Sequence, residues 1–101
     1  MSKFTVYGTH EYDEWFNKES PKSRLQIQDR ILKIENEGYF GKYRRISDEL
    51  WELKFNDGRR IYYIVIEQKK VLFLLGGNKN GQEKDIRRAK GLISKAKESK
   101  N

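Results

Sequence analysis

An α+β domain is the fold class this sequence predicts, a mostly antiparallel four-stranded sheet with two N-terminal helices and one C-terminal helix. Three observations lead there. Residues 50–66 alternate apolar and polar on either side of Asp57-Gly58, which is the pattern of a hairpin. Residues 20–38 open on Ser20-Pro21 and close on Gly38, a start and a stop that bracket a long helix. Residues 71–75 (VLFLL) form an uninterrupted apolar run of strand length, typical of a strand covered on both sides.

Taken in order, residues 3–7 (KFTVY) alternate like a short strand that Gly8 ends. Thr9 is placed to cap a helix over about 10–18, where Tyr12, Trp15 and Phe16 share one face. His10 in its first turn reads as a surface residue. The second helix runs from Ser20-Pro21 to about Glu37. Its Ile27, Ile31 and Ile34 form one stripe, and Leu25 and Leu32 lie away from it, so this helix should be sandwiched between the sheet and another helix or a partner. Residues 39–47 place Lys42, Arg44 and Arg45 among Tyr39, Phe40 and Tyr43. They read as a loop entering a strand, in a mixture suited to phosphate contact and base stacking.

After the hairpin, residues 67–70 are a polar turn. The apolar run then ends in Gly76-Gly77-Asn78-Lys79, flexible backbone with a cation. Asn80 and Glu83 have the spacing of a capping box, and the last helix extends to about Lys97 with Ile86, Ala89, Ile93 and Ala96 inward. Lys84, Arg87, Arg88, Lys90 and Lys95 form its solvated basic face. Residues 98–101 should fray. Repeats and linkers are lacking, so residues 1–101 read as one domain, with the helices packed on one face of the sheet.

The hairpin register follows from its turn. A two-residue turn on Asp57-Gly58 would pair Phe55 with Arg60 and Lys54 with Ile61, mixing apolar and charged partners on both faces. A three-residue turn, Asn56-Asp57-Gly58, pairs Leu53 with Ile61, Lys54 with Arg60 and Glu52 with Tyr62, and keeps one apolar face intact. Gly58 supplies the left-handed residue such a turn needs. This register sets two cations side by side, which destabilises a sheet unless an anion sits between them.

Composition narrows the functions available. The chain has 101 residues, enough for one core that buries roughly 60–65% of the unfolded surface. Without cysteine there is no disulfide or thiolate zinc site, and a single histidine cannot make a multi-histidine metal site. Neither a metal nor a cofactor is expected. No apolar run approaches the ~18 residues of a membrane span and no signal pattern opens the chain, so a soluble cytoplasmic protein is expected. The net charge of +7 points to a polyanion or an acidic protein as partner, and nucleic acid leads where cations interleave with aromatics.

LWELKF (50–55), GRRIYYIV (58–65) and above all LLGGNKNGQEKDIRRAK (74–90) resemble the RelE/ParE superfamily of toxins from type II toxin–antitoxin systems. More narrowly, the chain resembles the HigB-like addiction module killer group. The resemblance implies a RelE-like fold and a cytoplasmic toxin restrained by a cognate antitoxin of helix-turn-helix type. It further implies a metal-independent mRNA endonuclease, with ribosome dependence left open. Two alternatives stay beside it: a ParE-like gyrase inhibitor that cuts no RNA, and a basic nucleic-acid-binding module without catalysis.

By that resemblance Lys54 falls on the family's basic strand position and Arg60 on the arginine opening the next strand. Lys79 lies near the cation that nuclease members place after the last strand. The chain departs from the pattern at Glu52, where relatives often carry a second lysine, at Asn80 in place of an arginine, and at Ile86 in place of an aromatic. Arg60 is the natural phosphate clamp, since its planar fork holds two oxygens. Lys54 is the candidate base or second cation, with Glu52 as rival base and Lys79 beside the leaving group. Asn78, Tyr62, Tyr43, Arg44, Arg45 and Lys42 are the candidate RNA contacts.

Overall fold

A computed structural model describes residues 3–98, the side chain of Glu98 excepted. The expected fraying at the C-terminus falls, beyond Glu98, outside the described residues. Five strands form one sheet: β1 (Thr5–Gly8), β2 (Tyr43–Arg45), β3 (Trp51–Lys54), β4 (Arg59–Glu67) and β5 (Lys70–Asn78), in the order β1-β5-β4-β3-β2. β1 runs parallel to β5 and every other pair is antiparallel. The expected four strands become five because Tyr43–Arg45, read as a loop edge, pairs with β3. All three of its residues are exposed, so no burial periodicity marked it.

The helices are α1 (His10–Asn17), α2 (Pro21–Glu37) and α3 (Gln82–Glu98). Each start has a local cause. The Thr9 hydroxyl accepts from the Tyr12 amide at 3.0 Å and donates to the Leu74 carbonyl at 2.7 Å, tying the cap of α1 to β5. Ser20 accepts from the Ser23 amide, Pro21 follows, and Gly38 ends α2 as expected. The capping box on Asn80 does not form. Asn78 instead caps a short 3₁₀ turn, Lys79–Gly81, from which α3 leads off. Gly76, Gly77 and Asn78 belong to β5 rather than to a flexible end.

The helices do not share one face. Tyr12, Ile27 and Ile34 of α1 and α2 pack with Leu53, Ile61 and Phe73 on one side of the sheet. On the other side, Ala89 and Ile93 of α3 cover Tyr62, Ile64, Leu74 and Leu75. The β4–β5 register jumps from Tyr62↔Leu75 to Tyr63↔Phe73, a bulge that leaves Leu74 and Leu75 both in the α3 layer. Both faces of the central strands are therefore buried, as the unbroken apolar run in β5 required. Leu25 and Leu32 on α2 stand 68% and 55% exposed, so among the described residues no second helix covers that side. Among the described residues, no helix is long and apolar enough to cross a membrane.

Candidate functional site

The hairpin forms in the predicted register. The Phe55 amide donates to the Arg59 carbonyl at 3.0 Å and the Gly58 amide to the Phe55 carbonyl at 3.1 Å, closing a three-residue turn with Gly58 at φ +90°. Leu53 then faces Ile61, Glu52 faces Tyr62 and Lys54 faces Arg60. Two further backbone bonds bring cations to this pair. The Lys54 amide donates to the Lys42 carbonyl at 2.9 Å, and the Lys79 amide donates to the Gly58 carbonyl at 2.9 Å.

Lys42, Lys54, Arg60 and Lys79 consequently line one cleft of ≈ 360 Å³, in which, among the described residues, Asp57 is the only carboxylate. Asp57 is itself paired with Arg59. Among the described residues no ion pair is made by Lys42, Lys54 or Lys79. Cations gathered in a concave surface without matching carboxylates focus a positive potential, and an anion is what relieves it. The like-charged Lys54–Arg60 pair thus lies where a phosphate would neutralise both.

Behind the cleft the same sheet face is closed. Glu52 is wholly buried. Its Oε1 accepts from Arg44 Nε at 3.1 Å, its Oε2 accepts from Gln82 Nε2 at 2.7 Å, and Arg60 Nε lies 3.5 Å from Oε2. Both carboxylate oxygens are occupied by protein donors, so Glu52 is placed to anchor two arginines and not to take a proton from a substrate. Tyr62, beside it, is also fully buried and has no face free for a base. Burial, followed by the nearby Glu52 and Asp85 carboxylates, pushes its hydroxyl pKa up.

The remaining candidates divide by pleat. Arg44 pairs with Glu52 on the α3 side of the sheet, and Tyr43 and Arg45 face the opposite way beside Trp51. Arg45 lies over the Trp51 ring at 5.6 Å and donates to the carbonyls of Ser47 and Asp48, away from the cation cleft. Asn78 stands opposite Arg59 and not opposite Arg60. Its Oδ1 accepts from the Asn80 amide. The structure therefore unites Lys42, Lys54, Arg60 and Lys79. Arg44, Glu52 and Tyr62 lie behind them, and Tyr43, Arg45 and Asn78 lie apart.

Gln82 was not foreseen. It is the first residue of α3 and donates to Glu52 across 30 positions of sequence. The only available signal was its place inside the 74–90 motif, which carries no indication of which strand it meets. Among the described residues, no group of three or more His, Cys, Asp or Glu is arranged to hold a metal ion.

Residues 14–100 match the model of the family described as "Phage derived protein Gp49-like (DUF891)". The chain belongs to this family. An uncharacterized protein of Haemophilus influenzae (strain Rd) is 32% identical over 90 residues, which make up 86% of this chain and 90% of that relative.

Among solved structures, this Gp49-like chain is similar to a chain of the intact Escherichia coli RelBE toxin–antitoxin complex. The TM-score is 0.60 at 18% identity, over 76% of this chain and 96% of the other. It is likewise similar to a chain of the RelBE2 toxin–antitoxin complex of Mycobacterium tuberculosis, with a TM-score of 0.64 at 12% identity over 76% and 99%. The isolated E. coli RelE toxin matches with a TM-score of 0.60 at 17% identity over 86% and 98%. At these identities the likeness establishes the fold, and the RelE-like architecture expected from the sequence is the one found.

Proposed function

We propose that this Gp49-like chain, acting as one domain, is the toxin of a type II toxin–antitoxin pair and cleaves mRNA in the cytoplasm. The observation that carries the reading is the open cleft in which Lys54 and Arg60, direct cross-strand partners, are joined by Lys42 and Lys79. The RelE-fold structures it resembles include two toxin–antitoxin complexes, which supports a cognate antitoxin as partner. The helix-turn-helix character of that antitoxin comes from the sequence resemblance.

In the proposed reaction the 2′-hydroxyl oxygen of one nucleotide attacks the adjacent phosphorus. A 2′-O–P bond forms, the P–O5′ bond breaks, and the products are a 2′,3′-cyclic phosphate and a 5′-hydroxyl. Arg60 holds the non-bridging oxygens with its planar fork and, with Lys42, balances the extra charge of the phosphorane. The Lys54 ammonium stabilises the developing 2′-oxyanion as the 2′-hydroxyl proton passes to solvent water. Lys79, on the 3₁₀ turn next to the hairpin, supplies a proton to the departing 5′-oxygen. Glu52 acts on Arg60 as a buried counter-charge 3.5 Å from its Nε.

The test replaces both members of the central pair. Lys54→Ala combined with Arg60→Ala, shown to be folded by circular dichroism, should no longer arrest growth on induction. Cleavage mapped by primer extension should drop by at least about 100-fold, the usual scale for a lost acid–base or electrostatic group. Cutting at the wild-type rate by that folded variant would remove the site. Intact transcripts together with DNA damage after wild-type induction would transfer the reading to gyrase.

A further inference from the structure

The end of the β4–β5 ribbon separates two clefts. Asp57 and Lys79 line both, so the second, of ≈ 290 Å³, adjoins the cation cleft across the Lys79–Gly58 contact. Their charges differ. The first sets Lys42, Lys54, Arg60 and Lys79 against Asp57 alone. The second sets Arg59 and Lys79 against Glu19 and Asp57. There Arg59 is bound by both carboxylates, with its Nε 2.6 Å from Glu19 Oε1 and its guanidinium paired with Asp57. Such a floor is already neutralised, and a second phosphate has little to gain from it.

What this cleft offers instead is an aromatic wall and two amides. The wall is Trp15 of α1, whose ring lies so close to Gly76 that a Cβ there would collide with it, and whose centroid is 6.0 Å from the Tyr12 ring. It is rigidly placed. Asn78 uses its Oδ1 to accept from the Asn80 amide, which leaves its Nδ2 to donate. The exposed Asn80 carboxamide has no partner among the described residues. A fixed π-surface beside amide donors and acceptors, without net charge, is the chemistry that receives a flat heterocycle with hydrogen-bonding edges.

We propose that this cleft is a nucleobase pocket, holding the base next to the phosphate seated at Lys54 and Arg60, and that Trp15 and Asn80 set a base preference. The inference rests on the nucleic-acid reading of the cation cleft, but it predicts binding that does not depend on cleavage. The probes are 2′-deoxy dinucleotides, which lack the attacking hydroxyl, with each of four bases or an abasic site at one position. They are titrated against the full chain by calorimetry.

Wild type should bind the best base-bearing ligand on the order of tenfold more tightly than the abasic one, the scale of one aromatic–base stack. The four bases should also differ among themselves. Trp15→Ala and Asn80→Ala should each shrink that difference while binding the abasic ligand as before. Asn80, being exposed, supplies a variant that leaves the core packing of Trp15 untouched. Equal binding of abasic and base-bearing ligands by wild type, or a base preference unchanged in folded Asn80→Ala and Trp15→Leu, overturns the pocket. RNA left uncut by wild type while base-dependent binding persists removes the nuclease reading and leaves the pocket standing.

Discussion

Glu52 and Lys54 occupy the same strand and the same face, one pleat apart, yet they live in different environments. Glu52 is wholly buried and both of its oxygens are engaged, whereas Lys54 is part-exposed, lines an open cleft and has no ion-pair partner among the described residues. What separates them is the start of α3. Gln82 reaches the sheet at Glu52, and beyond it Lys54 stays open. Arg60 spans the two regions, since its Nε lies 3.5 Å from Glu52 and it lines the cleft with Lys54. A covered charge on this face is part of the fold, and an uncovered one is free for a ligand.

Truncating the two residues separately should have opposite consequences. Glu52→Ala leaves Arg60, 13% exposed, without its buried counter-charge and should cost about 3 kcal/mol in urea unfolding. Lys54→Ala should change stability by no more than about 0.5 kcal/mol, because it removes a like-charge contact and no favourable pair, while abolishing cleavage. Equal stability of the two variants would erase the distinction between covered and open halves.

A smaller effect tests the quality of the covered half. The Tyr62 hydroxyl is buried without a hydrogen-bond partner among the described residues. Tyr62→Phe should therefore be neutral or more stable by up to about 1 kcal/mol, since it deletes an unsatisfied polar group from a filled space. A clear loss of stability in urea would show that the hydroxyl is bonded.

The smallest effect concerns Asp85, whose carboxylate rests over Gly77 near the start of α3. Desolvation raises its pKa, and Arg88 and Lys84 only partly oppose it. A raised carboxyl pKa means that the folded chain binds this proton more tightly than the unfolded one. Its contribution is then unfavourable above the folded pKa and disappears below the unfolded one. Asp85→Asn should be slightly more stable than wild type at neutral pH, and thermal melts should show the gap closing as pH falls through the carboxylate range.

Much of this molecule was legible in its sequence because the relevant signals are local. Ser20-Pro21 and Gly38 delimit α2, and Thr9 starts α1, through groups within a few residues of one another. The Lys54–Arg60 pairing was readable because an odd-length turn is the choice that keeps Leu53 and Ile61 on one apolar face. β2 was not readable, since three exposed residues become a strand only by pairing with β3. That same pairing sends Arg44 to one face and Tyr43 and Arg45 to the other, a division invisible while the segment read as a loop.

By itself, then, the chain of residues determined the order and ends of the main helices, the hairpin register and the meeting of lysine with arginine. Tertiary structure alone decided which charges on that face are sealed and which are open, and which helix covers which side of the sheet. The physical reason is range. Caps, turns and alternation depend on neighbours a few positions away, whereas the burial of Glu52 depends on a glutamine 30 residues further along the chain.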